Sequence, residues 1–156
     1  MTGKRLSALL GLSIALAPAA AGAAPPGRFV ANLELALVGG PTSPSRCAPP
    51  MVLVELEGTG RATRLGAVAA EASHCIIDDP ADEGVSDGLL TLTDDGGSLE
   101  LAYSGTDVAG DLSGVFLITG GTGEFAGATG EGTFSGIAVR EEDRGFVLLR
   151  GRLSVP

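Results

Sequence analysis

Hydrophobic and polar side chains alternate along residues 29–38, and this pattern predicts a β-strand. Every second residue from Phe29 to Leu37 is apolar, whereas polar residues such as Asn32 fall between them. Successive side chains of a strand point to opposite faces, so this segment presents one apolar face to a core. Residues 51–57 show the same alternation and predict a second strand.

Six further segments have a strand-like pattern, and turn-forming residues separate them. These strands are predicted at 61–73, 89–93, 98–104, 115–119, 132–139 and 145–153. The turns are predicted at 58–60, 94–97, 111–114, 120–123 and 141–143, with longer loops at 39–50 and 78–87. The alanine-rich segment 61–73 also has helical propensity, but Thr63 and the central Gly66 favour a bent strand.

About eight short strands without an amphipathic helix are typical of a β-sandwich or a closed barrel. Closure removes the exposed edges of a sheet, and these strands carry few charges that would protect an edge. The sequence therefore predicts an all-β fold, a closed antiparallel barrel of eight strands.

Glycines recur between apolar and β-branched residues along segment 114–136. Such a pattern is typical of strands that bend sharply and are joined by close turns, not of a flexible linker.

Seven residues of this segment resemble the Gly-Gly-Thr-Gly-x-Phe-x-x-Ala-x-Gly signature of the allene oxide cyclase and dirigent-type barrels. They are Gly120, Gly121, Thr122, Gly123, Phe125, Ala128 and Gly130. Segments 60–66, 73–75 and 91–106 precede it in the order found in small secreted bacterial proteins of this type. The resemblance implies eight antiparallel strands around an apolar cavity and, as in plant members, a homotrimer. It carries no catalytic residue onto this chain.

The physical role of this motif is predicted to be structural. Its glycines permit positive φ and close strand approach at a corner, and Phe125 is expected to fill the space beside them. A phosphate-binding loop is the alternative, but the motif lacks the Lys-Ser/Thr pair of such loops and a strand follows it.

The first 23 residues have the features of a signal peptide. Lys4 and Arg5 precede the apolar run 6–17, and Ala21-Gly22-Ala23 offers small residues for cleavage. A buried helix or a membrane anchor is the alternative. Residues 24–156 are then one domain, and no second apolar stretch is long enough to span a membrane. The expected location is outside the cytoplasm, either secreted or periplasmic.

Acidic residues outnumber basic ones by 19 to 10, and the net charge is −9. A field of this sign repels phosphate backbones and anionic lipid surfaces, so nucleic acid is not an expected partner. The chain has no Trp and one Tyr, too few aromatic residues for the stacking surfaces that bind single-stranded nucleic acids.

Two cysteines, Cys47 and Cys75, predict one disulfide in an exported protein. A metal site that also uses His74 is the alternative. His74 and Cys75 are adjacent, and on a strand they would point to opposite faces. We therefore expect the disulfide, with no metal and no cofactor.

Three other features could have a catalytic or metal-binding role. Residues 84–88 match the nucleophile-elbow string G-x-S-x-G, but a strand rather than the required helix is predicted to follow. His74, the single histidine, is a candidate general base or a structural residue. The acidic segment 78–87 is a solvated loop or a calcium loop, although it lacks the order of EF-hand ligands.

Three polar residues are candidates for the inside of the barrel. Arg150 and Arg152 share one strand face with Phe146 and Leu148, and would clamp a ligand carboxylate if that face lined a cavity. If the face is outward, both are solvated and only their stems pack. Tyr103 shares a face with apolar neighbours and could place its hydroxyl inside, with packing in the core or at the rim as the favoured alternative.

These observations favour a non-catalytic secreted barrel whose interior holds a small apolar ligand or is packed. Two alternatives stay open: an isomerase or cyclase acting on a lipid-like substrate, and a trimeric surface or interaction protein. The sequence assigns no catalytic residue to any of them.

Overall fold

The computed structural model describes residues 25–39, 46–77 and 84–156. The predicted signal peptide, residues 1–23, lies outside the described residues. The eight strands are β1 (Gly27–Leu37), β2 (Met51–Ala62), β3 (Gly66–Ile77), β4 (Gly84–Asp94), β5 (Gly97–Val108), β6 (Asp111–Gly121), β7 (Thr129–Val139) and β8 (Arg144–Ser154). Within the described ranges, helical structure is limited to two 3-10 turns, Gly123–Phe125 and Arg140–Glu142.

The eight strands form one closed antiparallel barrel in chain order. Each strand pairs with the next, and β8 pairs with β1. Ala31 on β1, for example, lies opposite Ala62 of β2 on one side and Leu149 of β8 on the other. The predicted architecture is confirmed.

One end of the barrel is filled by apolar side chains. Phe29 and Phe116 meet edge to face with ring centroids 6.0 Å apart, a favourable geometry for aromatic pairs. Fully buried leucines such as Leu92 and Leu99 pack around them. The predicted inward face of β1 is buried up to Leu35, but Leu37 is 44% exposed because it lies at the opposite end.

The turn predicted at residues 58–60 is wrong, because β2 continues through Gly58 and Gly60 to Ala62. An added Cβ on Gly58 would lie 1.9 Å from the backbone oxygen of Glu34, so the glycine serves the close approach of β1 and β2. The chain reverses at residues 63–65 instead, and the predicted strand 61–73 is divided between β2 and β3.

The turn predicted at residues 111–114 is also wrong, since β6 begins at Asp111. The chain reverses one step earlier, at Ala109 and Gly110, whose φ values are +54° and +96°. Predicted turns at 94–97 and 141–143 are confirmed in position. In the first of them, Asp94 Oδ1 accepts hydrogen bonds from the backbone N–H groups of Gly96 and Gly97.

Candidate functional site

A cavity of about 280 Å³ occupies the end of the barrel where β1 finishes and β2 starts. Apolar side chains form most of its wall, and they come from all eight strands. They include Leu35, Leu56, Ile76, Leu101, Phe134 and Leu149. The cavity is therefore an apolar compartment, open at one end and closed at the other by the packed core.

Inward-facing glycines make room for two aromatic side chains of this wall. Phe134 on β7 lies against Gly105 and Gly114, where added Cβ atoms would come within 2.8 and 2.5 Å of its ring. Tyr103 on β5 lies in the same way against Gly88 of β4, with ring carbons 2.5 Å from an added Cβ. Both rings thus occupy space that is free because the facing residues on neighbouring strands are glycines.

Tyr103 and His74 form the polar part of the cavity wall. A hydrogen bond of 2.8 Å joins Tyr103 Oη and His74 Nδ1. The Tyr103 ring stands edge to face between His74 and Phe134, with centroid distances of 5.9 and 5.8 Å. The sequence left open whether Tyr103 places its hydroxyl inside the barrel or packs at the core or rim, and it left His74 as a candidate base or a structural residue.

Burial shifts both groups of this pair away from neutral pH. Desolvation, helped by the positive charge of Arg46 and opposed by Asp107, lowers the pKa of His74 to about 4. Desolvation also raises the pKa of Tyr103 well above its usual value of 10, with Arg46 acting weakly in the opposite direction. Both side chains are therefore neutral at physiological pH.

One extra residue on β4, a β-bulge close to His74 and Tyr103, shifts the pairing of this strand with both of its neighbours. The pairing of β3 with β4 shifts between Ser73 and Cys75, and that of β4 with β5 shifts between Val85 and Gly88. A bulge redirects side chains at functional positions of many sheets. β4 begins at Gly84, so residues 84–87 belong to this strand and not to the predicted loop.

The disulfide between Cys47 and Cys75 is present, as predicted. It lies with Leu53 and Met51 in a small cluster of its own, apart from the barrel core. Beside it, Arg46 donates hydrogen bonds of 2.9 Å to Ser73 Oγ and to the Ser73 backbone oxygen, and a further one to the backbone oxygen of Asp87. Arg46 thus bridges β3 and β4 where their pairing shifts.

Charged residues surround the mouth of the cavity. Arg140 forms an ion pair of 2.9 Å with Asp107. Arg144 pairs with Glu34 at 3.2 Å and also with Glu142. These residues could not be identified from the sequence, because the charged segment around Arg140 is typical of a solvated turn. Only the pairing of strands that are distant in the chain brings Arg140 to Asp107 and Arg144 to Glu34.

The interpretation of Arg150 and Arg152 as cavity residues is wrong. Both are exposed on the outer face of β8, because Leu149 and Leu153 take the inward positions. The register of β8 leaves only apolar residues and glycines to face the interior there, so neither guanidinium can reach a ligand in the cavity.

The glycine motif lies at the closed end, far along the strands from the mouth. Phe125 is 3% exposed and packs into the core with Ala128. Gly123 takes φ +58°, and Thr122 Oγ1 accepts a 3.1 Å hydrogen bond from the N–H of Ser98. This placement agrees with the structural role predicted for the motif.

The G-x-S-x-G string and the acidic segment can also be compared with the structure. β4 runs on from Ser86 to Asp94, so the G-x-S-x-G string lacks the helix that a nucleophile elbow requires. Residues 78–83, the main part of the acidic segment, lie outside the described residues. Elsewhere in the described ranges, no cluster of three or more His, Cys, Asp or Glu side chains could hold a metal ion. Over the same ranges, no helix is long and apolar enough to cross a membrane.

The strands form a closed eight-stranded antiparallel barrel, and a known structure has a similar fold. The solved structure of a pterocarpan synthase dirigent protein is similar to this chain with a TM-score of 0.54. The match covers 85% of this chain and 86% of that chain, at 14% sequence identity. No family model and no curated protein matches the sequence.

Proposed function

We propose that this protein is a non-catalytic binding barrel that holds one small apolar molecule in its cavity. The observation that carries the proposal is the apolar compartment of about 280 Å³ with a single open end. An engineered apolar cavity of roughly 150 Å³ takes up benzene, so this volume suits a molecule of about two rings. The predicted signal peptide, residues 1–23, would export the barrel to an oxidising compartment, where its disulfide persists.

The protonation states inside the cavity favour binding over acid–base chemistry. A general acid or base works best with a pKa near the operating pH. The pKa of His74 is lowered to about 4 and that of Tyr103 is raised, so His74 is a weak base and Tyr103 a weak acid. A neutral hydrogen-bonding pair in an apolar wall is suited to orienting a neutral ligand.

Calorimetry with 2-isopropylnaphthalene tests this proposal. We expect one molecule bound per chain in the wild type, and no binding in the variant Ala138→Trp, whose indole would occupy the cavity. Val115→Trp is the matched control, because Val115 is exposed on the outer face, and it should bind like the wild type. The proposal fails if the wild type binds nothing, or if Ala138→Trp binds as well as Val115→Trp.

A second candidate function, a self-associating surface protein, is favoured by one outer patch. The outer patch consists of Leu89, Ala102, Val115 and Leu117, in which Leu89 lies opposite Ala102 and Ala102 opposite Leu117. The three larger side chains are each more than half exposed. We propose another copy as the partner of this patch, because copies of a chain of net charge −9 repel one another least through an uncharged surface. Glu131 lies opposite Leu117 at the margin of the patch.

The oligomeric state tests the second candidate. Sedimentation should give the trimer that the resemblance implies for the wild type and a monomer for Leu117→Glu. Thr59→Glu adds the same charge at an exposed position of β2 and should leave the assembly unchanged. A monomeric wild type, or equal behaviour of the two variants, contradicts self-association through this patch.

A further inference from the structure

The hydrogen bond between His74 and Tyr103 determines what the cavity wall offers to a ligand. The Tyr103 hydroxyl lies 2.8 Å from His74 Nδ1 but 3.5 Å from the backbone oxygen of Ser73. Hydrogen bonds from a hydroxyl are strongest near 2.7–2.8 Å, roughly the first of these distances. Because 3.5 Å is too long for a good O–H···O hydrogen bond, we assign the hydroxyl as donor to Nδ1, which is then the unprotonated nitrogen of the neutral imidazole. The proton of the ring is then on Nε2.

The His74 side chain lines the cavity, and its second ring nitrogen, Nε2, is the atom that remains to be assigned a partner. None of the described residues forms a hydrogen bond with this atom, and the described part of the chain contains no buried side-chain nitrogen or oxygen that lacks a partner. Nε2 is therefore accessible, and its side chain lines the cavity. The pair presents one N–H donor to a ligand within an otherwise apolar wall.

The mouth does not favour an anionic ligand. Both of its arginines, Arg140 and Arg144, are already paired with carboxylates. A ligand carboxylate would have to displace one of those partners and would meet the carboxylates of Asp107 and Glu34 nearby. A neutral acceptor group, by contrast, satisfies Nε2–H at no such cost.

We propose that the ligand is a neutral apolar molecule with one carbonyl group, as in a ketone or an ester, and that His74 Nε2–H donates a hydrogen bond to this carbonyl. This inference rests on the proposed binding function and names the chemical class that the same cavity selects. His74 is thereby the specificity-determining residue, and Tyr103 is a positioning residue that fixes the imidazole proton on Nε2.

Three probes of matched shape test the inference by calorimetry at pH 7: 2-acetylnaphthalene, 2-isopropylnaphthalene and 2-naphthoate. One net hydrogen bond corresponds to a preference of about five- to tenfold. We therefore expect the ketone to bind about five- to tenfold more tightly than the hydrocarbon, and the carboxylate to bind more weakly than both. In His74→Phe the preference should reverse, with the ketone binding more weakly than the hydrocarbon, because its carbonyl is then buried without a donor.

Infrared spectroscopy of the bound ketone gives a second readout, which does not depend on affinity. A donated hydrogen bond lowers the carbonyl stretching frequency, so the wild type should shift it below the value in an apolar solvent, and His74→Phe should not. Equal affinity for ketone and hydrocarbon, or an unshifted carbonyl band, overturns the inference while the binding function stands. Tightest binding of 2-naphthoate also overturns it, in favour of the mouth arginines. If no probe binds at all, the proposed function itself fails.

Discussion

His74 and Cys75 are neighbours in the chain, but their side chains lie on opposite sides of the barrel wall. His74 lines the cavity, whereas Cys75 joins Cys47 outside the barrel core. The alternation of side chains along β3 imposes this separation. β3 thus carries the cavity residue His74 on its inner face and the disulfide of Cys75 on its outer face. Loss of the disulfide would therefore remove a covalent constraint from the residue next to His74.

Removal of the disulfide in the double variant Cys47→Ser/Cys75→Ser should destabilise the barrel. The bond closes a loop with a sequence separation of 28, for which the chain-entropy model gives about 3 kcal/mol. Urea denaturation measures this loss of unfolding free energy. Arg46→Gln is the control, because it removes the hydrogen bonds to Ser73 but keeps the disulfide, and it should cost about 1 kcal/mol. A double variant as stable as the wild type would contradict the prediction.

Stability should decrease as the pH falls from about 6.5 to 4. The pKa of His74 is about 4 in the folded state, against an ordinary value of 6.5 for a solvated histidine. Because the unfolded chain takes up this proton first, His74 contributes its full stabilisation above the unfolded pKa and loses it as the pH approaches the folded pKa. This loss of unfolding free energy amounts to about 3 kcal/mol.

Urea denaturation at several pH values measures this dependence, and His74→Phe should lack the part that belongs to His74. The chain has one histidine, so an NMR titration follows His74 without assignment. A midpoint near 6.5 in the folded protein would show that His74 is solvated, contrary to its burial in the cavity wall.

Tyr103→Phe should lower the unfolding free energy by about 1–2 kcal/mol. The substitution keeps the ring that packs on Gly88 and Phe134 but leaves His74 Nδ1 without its partner. A double-mutant cycle with His74→Phe separates the pair from other contacts, and the coupling energy should be about 1 kcal/mol. Strictly additive effects would mean that the 2.8 Å hydrogen bond contributes nothing to stability.

The sequence predicted the class of fold well because alternation and turn residues are local signals. The alternation from Phe29 to Leu35 was sufficient to identify the inner face of β1, and the separation of His74 from Cys75 follows from the same rule. Glycines were the main source of error. Gly58 and Gly114 suggested turns, but each serves close packing against a neighbouring strand, which depends on pairing that the local sequence does not contain.

The candidate site was predicted less completely, for a related reason. Tyr103 was one candidate for the inside of the barrel, but its partner His74 lies 29 residues away in the chain. Their contact lies beside the bulge in β4, and no local pattern specifies the shift in register that a bulge introduces. Arg150 and Arg152 were placed on a common face correctly, and the error lay in which face the barrel turned inward.

The glycine motif offers a test in which two adjacent residues should behave differently. A Cβ added at Gly121 would lie 2.4 Å from the backbone oxygen of Ser98 and 2.7 Å from that of Phe125, and neither backbone can easily move. Gly121→Ala should therefore destabilise the barrel by about 2–3 kcal/mol through overpacking.

At Gly120 the nearest atom is the flexible carboxylate of Glu100, at 3.6 Å. Gly120→Ala should leave stability within about 0.5 kcal/mol of the wild type, or raise it slightly, because alanine restricts the unfolded chain more than glycine does. Urea denaturation of both variants measures the difference. Equal losses for the two would show that the motif requires glycine for some reason other than close packing against Phe125, and the structural role assigned to it would have to be abandoned.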